Sequence, residues 1–272
     1  MQPSATFNLR QLASLRTFPQ QRILFYSQVF GTYNDPMKKL LATLLLLSPL
    51  SGQSDYSEPH AAVDESRLAK VTDFIPENWK AIALAAGDMN DDNKEDYALI
   101  IQKTDPQNTA TNGGLVATET DTNPRHLLLL FTVQEDGQEK LIRKRIYRKF
   151  IPSLAADSPD MAEPVSYIGI DDNTLEIKFE DWTTEGSWQR NDITYKFRYD
   201  KGSGHFRLTF FEHHNVNKAS GMFKKSSIDL LSGKQEKAFG SMSSPRHRRE
   251  SNTIKTDNWT ICDIKKPLTF RP

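Results

Sequence analysis

The stretch that decides the fold reads Ile82-Ala83-Leu84-Ala85-Ala86-Gly87-Asp88-Met89-Asn90-Asp91-Asp92-Asn93-Lys94-Glu95-Asp96-Tyr97-Ala98-Leu99-Ile100-Ile101-Gln102. Two short apolar runs, 82–86 and 97–102, flank a loop dominated by Asp and Asn. Runs of this length bounded by turn-forming residues read as strands rather than helices. The segment therefore predicts a strand–loop–strand unit with its polar chemistry concentrated in the connection.

The same grammar continues outward. Strands are expected at His126–Val133 and Lys140–Phe150, joined by the hairpin turn Glu135-Asp136-Gly137-Gln138. Val165–Ile170 and Thr174–Phe179 flank Asp171-Asp172-Asn173, and residues 175, 177 and 179 alternate with the period of two that marks a half-buried strand. Ile193–Tyr199 and His205–Phe211 form a further pair, as do Ser226–Leu231 and Lys234–Phe239 about Ser232-Gly233. Asp64–Thr72 is the one short helix expected, with a turn at Phe74–Lys80 and a long exposed excursion over 103–124. The fold class that follows is mainly β: a single antiparallel, sheet-rich domain with few short helices.

Organisation along the chain is uneven. Residues 1–34 hold Arg10, Arg16 and Arg22 and no carboxylate. Met37-Lys38-Lys39 then precedes Leu40-Leu41-Ala42-Thr43-Leu44-Leu45-Leu46-Leu47 and Ser48-Pro49-Leu50-Ser51-Gly52. A basic start, a short apolar centre and small residues with a proline have the design of a secretory signal peptide. The expected division is 1–36 as an upstream extension, 37–52 as signal peptide, 53–64 as linker, 65–240 as the β-rich domain and 241–272 as a partly ordered tail. Localisation is then periplasmic or secreted, and no apolar run is long enough for a permanent membrane span. The whole chain carries 35 basic and 35 acidic residues; the 220 residues after Gly52 carry 30 and 34, a net −4. That balance argues against a nucleic-acid partner. Cys262 is the one cysteine, so no internal disulfide framework exists, and a lone thiol in an exported chain suggests burial or incidental presence.

The loop itself carries the chemistry. With Asp88 as position 1, oxygen-bearing side chains fall at positions 1, 3, 5 and 9: Asp88, Asn90, Asp92 and Asp96. Lys94, at position 7, offers its backbone carbonyl. Calcium takes six to eight oxygen ligands, and an i, i+2, i+4 series wraps one ion while the intervening residues point elsewhere. The metal ligands expected are Asp88, Asn90, Asp92, Lys94 and Asp96, with Ca2+ as the ion; thiol and imidazole donors are missing from the loop, which disfavours zinc or copper. Leu99 stands at position 12, where an EF-hand places a bidentate Glu, and strands rather than helices flank the loop. Asn93 occupies position 6, a place for left-handed backbone that asparagine tolerates.

This strand–loop–strand element resembles the calcium loops of FG-GAP (integrin-type) and VCBS repeats, and the resemblance implies that the ion stiffens a hairpin connection. Phe74-Ile75-Pro76-Glu77-Asn78-Trp79, Arg125-His126-Leu127-Leu128-Leu129-Leu130-Phe131, Thr194-Tyr195-Lys196-Phe197-Arg198-Tyr199 and Leu230-Leu231-Ser232-Gly233-Lys234 also resemble segments of a group of uncharacterised bacterial exported proteins. That likeness implies a secreted or periplasmic domain. With one copy of the loop, a multi-blade propeller is not expected.

Further candidates are weaker. Trp182 and Trp188, with Tyr167 and Tyr195 near in sequence, offer rings for stacking on a glycan or a protein partner, although core packing is the commoner fate of such residues. An inhibitor or immunity protein acting on a toxin or hydrolase is compatible with size and export. Glu180, Asp181 and Glu185 are the carboxylates a secreted carbohydrate-active hydrolase would use. His213-His214 are adjacent, so on a strand they face opposite ways and cannot share an ion. The basic runs Arg143-Lys144-Arg145 and Arg246-His247-Arg248-Arg249 read equally well as solvated faces. No Gly-x-Ser-x-Gly, His-Glu-x-x-His or phosphate-loop signature accompanies them, and a non-catalytic binding or structural role is expected.

Overall fold

The computed structural model describes residues 64–111, 119–154, 163–182, 188–244 and 246–272, the side chain of Trp182 excepted. The expected upstream extension, signal peptide and linker (to residue 63) lie outside the described residues, as does Glu185. Helix α1 spans Glu65–Val71, and the strands are β1 (Trp79–Gly87), β2 (Asp96–Lys103), β3 (Thr109–Thr111), β4 (Glu119–Asp121), β5 (Arg125–Glu135), β6 (Gln138–Tyr147), β7 (Val165–Asp171), β8 (Thr174–Trp182), β9 (Gln189–Asp200), β10 (His205–Asn217), β11 (Met222–Asp229), β12 (Lys234–Ser241) and β13 (His247–Thr253). All pair antiparallel, in a four-stranded sheet ordered β1-β2-β5-β6, a seven-stranded meander ordered β7 to β13, and the small β3–β4 hairpin. The chain is mainly β.

Turn chemistry sets the registers. Asp136 and Gly137 are both left-handed (φ 51° and 78°), as are Asp172 and Asn173 (φ 45° and 55°). Two consecutive positive φ values give the turn whose twist matches a tight hairpin, which is why Asp-Gly and Asp-Asn stand there.

The two sheets pack face to face. Ala98, Ile100, Leu127, Leu129 and Phe131 of the small sheet share one core with Ile177, Phe179, Tyr195, Phe197, Phe206 and Phe211 of the large one. The other face of the small sheet presents Leu84, Tyr97, Leu99, Ile101, Leu128 and Leu130, covered by Val71 and Leu68 of α1 with Phe74 and Ile75. β2 and the middle of β5 are therefore buried on both faces. Their continuous apolar runs follow, because alternation is expected only where one face meets water.

Residues 241–272 join this architecture closely. β13 pairs along β12 from His247 to Thr253. Beyond it the chain turns back across the inner face of the large sheet: Leu208 donates its amide to the Trp259 carbonyl at 2.8 Å, and the Tyr195 hydroxyl donates to the Pro267 carbonyl at 2.7 Å. Ile261 and Ile264 enter the shared core, with Trp259, Leu268 and Phe270 packed against it. Seven strands offer more inner surface than four can cover, and this segment covers part of the excess. Cys262 is exposed. The described residues all fall within one compact unit, Ser57–Pro272.

Candidate functional site

The loop between β1 and β2 is built by backbone-seeking side chains. Asp88 Oδ1 accepts the amides of Asn90 (3.0 Å), Asp91 (2.7 Å) and Asp92 (3.3 Å), while Oδ2 accepts that of Asn93 (2.6 Å). Asp92 accepts the Lys94 amide at 3.0 Å. Asp91 and Asn93 take left-handed backbone at φ 59° and 61°, the conformation Asp and Asn tolerate best after glycine. At the far end Asp96 accepts from Met89 N (3.0 Å) and from Thr132 N on β5 (2.9 Å). One carboxylate thus ties the loop to the neighbouring strand.

The intervening residues anchor the loop outward, as the alternation predicts. Met89 is buried in the shared core. Asp91 accepts the Asn173 side-chain amide at 3.1 Å and its carbonyl accepts Lys201 Nζ at 3.1 Å, reaching the β7–β8 and β9–β10 turns. Glu95 turns toward α1, taking Arg67 Nη2 at 2.8 Å and the Tyr97 hydroxyl at 2.6 Å. Gly87, which opens the loop, lies against β7, where an added Cβ would stand 2.8 Å from Ile170 Cγ2.

Electrostatics follow from this geometry. Burial pushes the Asp96 carboxyl up to about 6; its two backbone amides oppose the rise, and the Asp92 and Asp88 carboxylates add to it. Asp88 is also penalised by burial, yet the amides of Asn93, Asp92, Asn90 and Asp91 outweigh this and hold it below the usual range. Asn90 Oδ1 is buried with no hydrogen-bond partner.

Among the described residues, no three His, Cys, Asp or Glu side chains form a ready-made metal centre. The physical reason is visible in the loop, where the carboxylates of Asp88 and Asp96 are turned onto backbone amides. Asp88 Oδ1 is taken up by three amides, but Asp88 Oδ2 and both Asp96 oxygens accept one amide each and keep a second lone pair. Asn90 Oδ1 is an oxygen acceptor removed from water without compensation, and neighbouring carboxylates already raise Asp96. A hard cation fits that donor set better than a proton-rich or soft ligand would.

The other candidates disperse. Tyr195 is fully buried among Phe150, Phe179, Phe197 and Phe211, so it offers no ring to a ligand. Tyr167 and Trp188 are exposed. Glu180 and Asp181 follow one another on β8 and face opposite ways: Glu180 pairs with Arg190 Nη2 at 3.0 Å, and Asp181 accepts from Asn191 Nδ2 at 3.4 Å. The paired-carboxylate arrangement is therefore not formed by these two. His213 and His214 also separate. His213 Nε2 meets Asn191 Oδ1 at 2.9 Å and Arg271 at 3.2 Å, whereas His214 Nδ1 lies 3.7 Å from Asp192. In the basic run on β6, Lys144 Nζ sits 5.0 Å from the Tyr199 ring centroid. Sequence inspection missed Arg125, which is buried and bidentate to Glu163 at 2.5 and 2.7 Å. Its signal was an isolated charge beside an apolar strand.

No protein-family model matches the chain, and no curated protein or solved structure matches it significantly.

Proposed function

We propose that this chain is an exported, calcium-binding β-sandwich with a non-catalytic binding or structural role toward a protein or glycan partner, working in the periplasm or outside the cell. The observation that carries the ion is the set Asp88, Asn90, Asp92, Lys94 and Asp96 on one nine-residue stretch, 88–96. Within it Asn90 Oδ1 lies buried without a partner, and Asp96 is pushed up to about 6 by burial with help from Asp92 and Asp88. Residues 91 and 95 reach the turns of the large sheet and α1. An ion on the opposite edge of the loop would therefore stiffen the place where small sheet, large sheet and helix meet. Export rests on the basic, apolar and small-residue order of 37–52.

Thermal melting with calcium and with chelator tests the ion. Extracellular modules hold calcium with Kd of about 10⁻⁴–10⁻³ M, and a ten- to hundredfold excess over Kd stabilises a fold by about 1–3 kcal/mol. The expected result is a melting point that rises by a few degrees with calcium and falls back with chelator. Asp92→Ala, whose one recorded contact within the loop is the Lys94 amide, should fold and lose the calcium response. A wild-type melting point indifferent to millimolar calcium overturns the reading. Mass spectrometry of the mature product tests export; retention of Met37–Gly52 is the contrary result.

A further inference from the structure

The end of the large sheet remote from the calcium-type loop has a distinct surface. The β7–β8 and β9–β10 turns, with Asn173 and Lys201, hold the loop. The β10–β11 turn, and the ends of β9 and β12 beside it, lie at the opposite end of the same strands. Lys218 donates its amide to the Trp188 carbonyl at 2.7 Å, Met222 pairs with Ser241, and Met242 donates its amide to the Gly221 carbonyl at 2.8 Å. Trp188, Met222 and Met242 are thereby gathered on adjoining turns, 67%, 52% and 69% exposed. Among the described residues only Leu231, at the other end, is a large hydrophobic comparably open.

The charge beside Met222 and Met242 has one sign, whereas at the Trp188 strand end Lys218 lies within electrostatic reach of Glu180 and Asp192 and Glu185 stands three residues before Trp188 in the sequence. Residues 216–224 and 240–248 contain Lys218, Lys224, Arg246 and Arg248 and no Asp or Glu. Arg248 pairs with Glu250, whereas Lys224 and Arg246 make no ion pair among the described residues. The rest of that sheet's outer face is a lattice of opposed charges, such as Lys196–Glu176, Arg190–Glu180 and Lys225–Glu212. Behind the tips Phe223 packs edge-on to His214 and His247, with ring centroids 5.6 and 5.3 Å apart. Gly240 leaves room for this: a Cβ there would lie 3.2 Å from Phe223 Cε1. The base is packed, and the apolar tips beside it are exposed.

We infer that this end of the sandwich docks onto an anionic lipid surface, with Trp188, Met222 and Met242 entering the headgroup boundary and the flanking cations facing lipid phosphates. A tryptophan has one apolar and one polar edge and settles at such boundaries. Neither attraction suffices alone: three tips are too few for hydrophobic anchoring, and a handful of cations gives weak adsorption. Together they make the two-part signal that reversible membrane attachment needs. An acidic protein surface would also match the charge, and it is the occupant favoured if the chain stays off anionic vesicles.

Vesicle sedimentation with the full mature chain decides the matter, run in chelator so that it is independent of the calcium reading. The chain should sediment with vesicles of equal parts phosphatidylglycerol and phosphatidylcholine, less so at high salt, and should stay in solution with phosphatidylcholine alone. Lys224→Glu with Arg246→Glu should lower partitioning roughly tenfold or more, since each cation near such a surface contributes about a fivefold gain. Trp188→Ala with Met242→Ala should lower it too, and both pairs should melt as the wild type does. The two pairs are independent, so one that failed to fold would leave the other to decide. Absence of the wild type from phosphatidylglycerol vesicles overturns the inference. So does undiminished sedimentation of a folded variant.

Discussion

Gly87 and Asp96 bracket the loop and fail in different ways when changed. At Gly87 a Cβ would stand 2.8 Å from Ile170 Cγ2 and 3.1 Å from the Ile170 carbonyl oxygen. The clash is with backbone as well as side chain, so it cannot be relieved by a rotamer change. Gly87→Ala should lower stability by about 1–3 kcal/mol, the usual range for overpacking, read as a shifted urea midpoint at unchanged slope. Asp96 is fully buried and accepts one amide from its own loop and one from β5. Asp96→Ala leaves both amides buried without acceptors, at about 1–3 kcal/mol each. Asp96→Asn keeps one acceptor oxygen and should lie between wild type and Ala. Equal stability of the Ala and Asn variants would refute this account of Asp96.

At the level of elements, α1 is small but covers much. Its Val71 is fully buried, and Leu68 packs with it over Leu84, Leu99, Ile101, Leu128 and Leu130. The exposed Arg67–Glu95 pair beside them is a minor contributor, worth under about 1 kcal/mol. Val71→Ala should therefore destabilise by about 1–3 kcal/mol, and Arg67→Ala by far less, in parallel denaturant titrations. The same element shows what a sequence can and cannot reveal. Asp64–Thr72 was legible because Asp64 caps the helix by accepting the Ser66 amide and its apolar residues recur at helical spacing. Strands β7 to β10 were legible from alternation and from turn residues such as Asp172-Asn173. The candidate loop was legible because its register is local. Its anchors, Asn173, Lys201 and Arg67, were not, since nothing in sequence separations of 28 to 110 residues marks a partner. β13 was hidden for another reason: every residue from His247 to Thr253 is exposed, so an edge strand carries no apolar period to read.

At the scale of the whole molecule, the C-terminal segment is what completes the sandwich, and His213 reports on it. His213 stands on β10 against Asn191 of β9 and Arg271 of the returning chain. Burial first, then Arg271 and His214, depress its pKa to about 4 against the opposing pull of Asp192. A free histidine protonates near 6.5, so the unfolded chain takes up this proton first. The neutral folded form is thus favoured fully above 6.5, and that advantage drains away as pH falls from about 6.5 to about 4, where the folded state also protonates. Asp96, raised to about 6, acts in the opposite sense across part of this window, because its folded form accepts a proton more readily than the unfolded chain does. A single melting profile would mix the two. The informative quantity is the difference between wild type and His213→Gln, which keeps a side chain able to reach Asn191 and removes the titration. That difference should be steady above pH 7 and shift in favour of the Gln variant as the solution is acidified toward 4. Arg271→Ala relieves one of the depressing charges, so it should make the loss smaller and end it at a higher pH, the onset near 6.5 being set by the unfolded chain. If the two melting profiles run parallel from pH 7 to 4, His213 is not held neutral by the packing of the C-terminal segment on β9 and β10, and the closure of the sandwich must be argued from Tyr195, Ile261 and Phe270 alone.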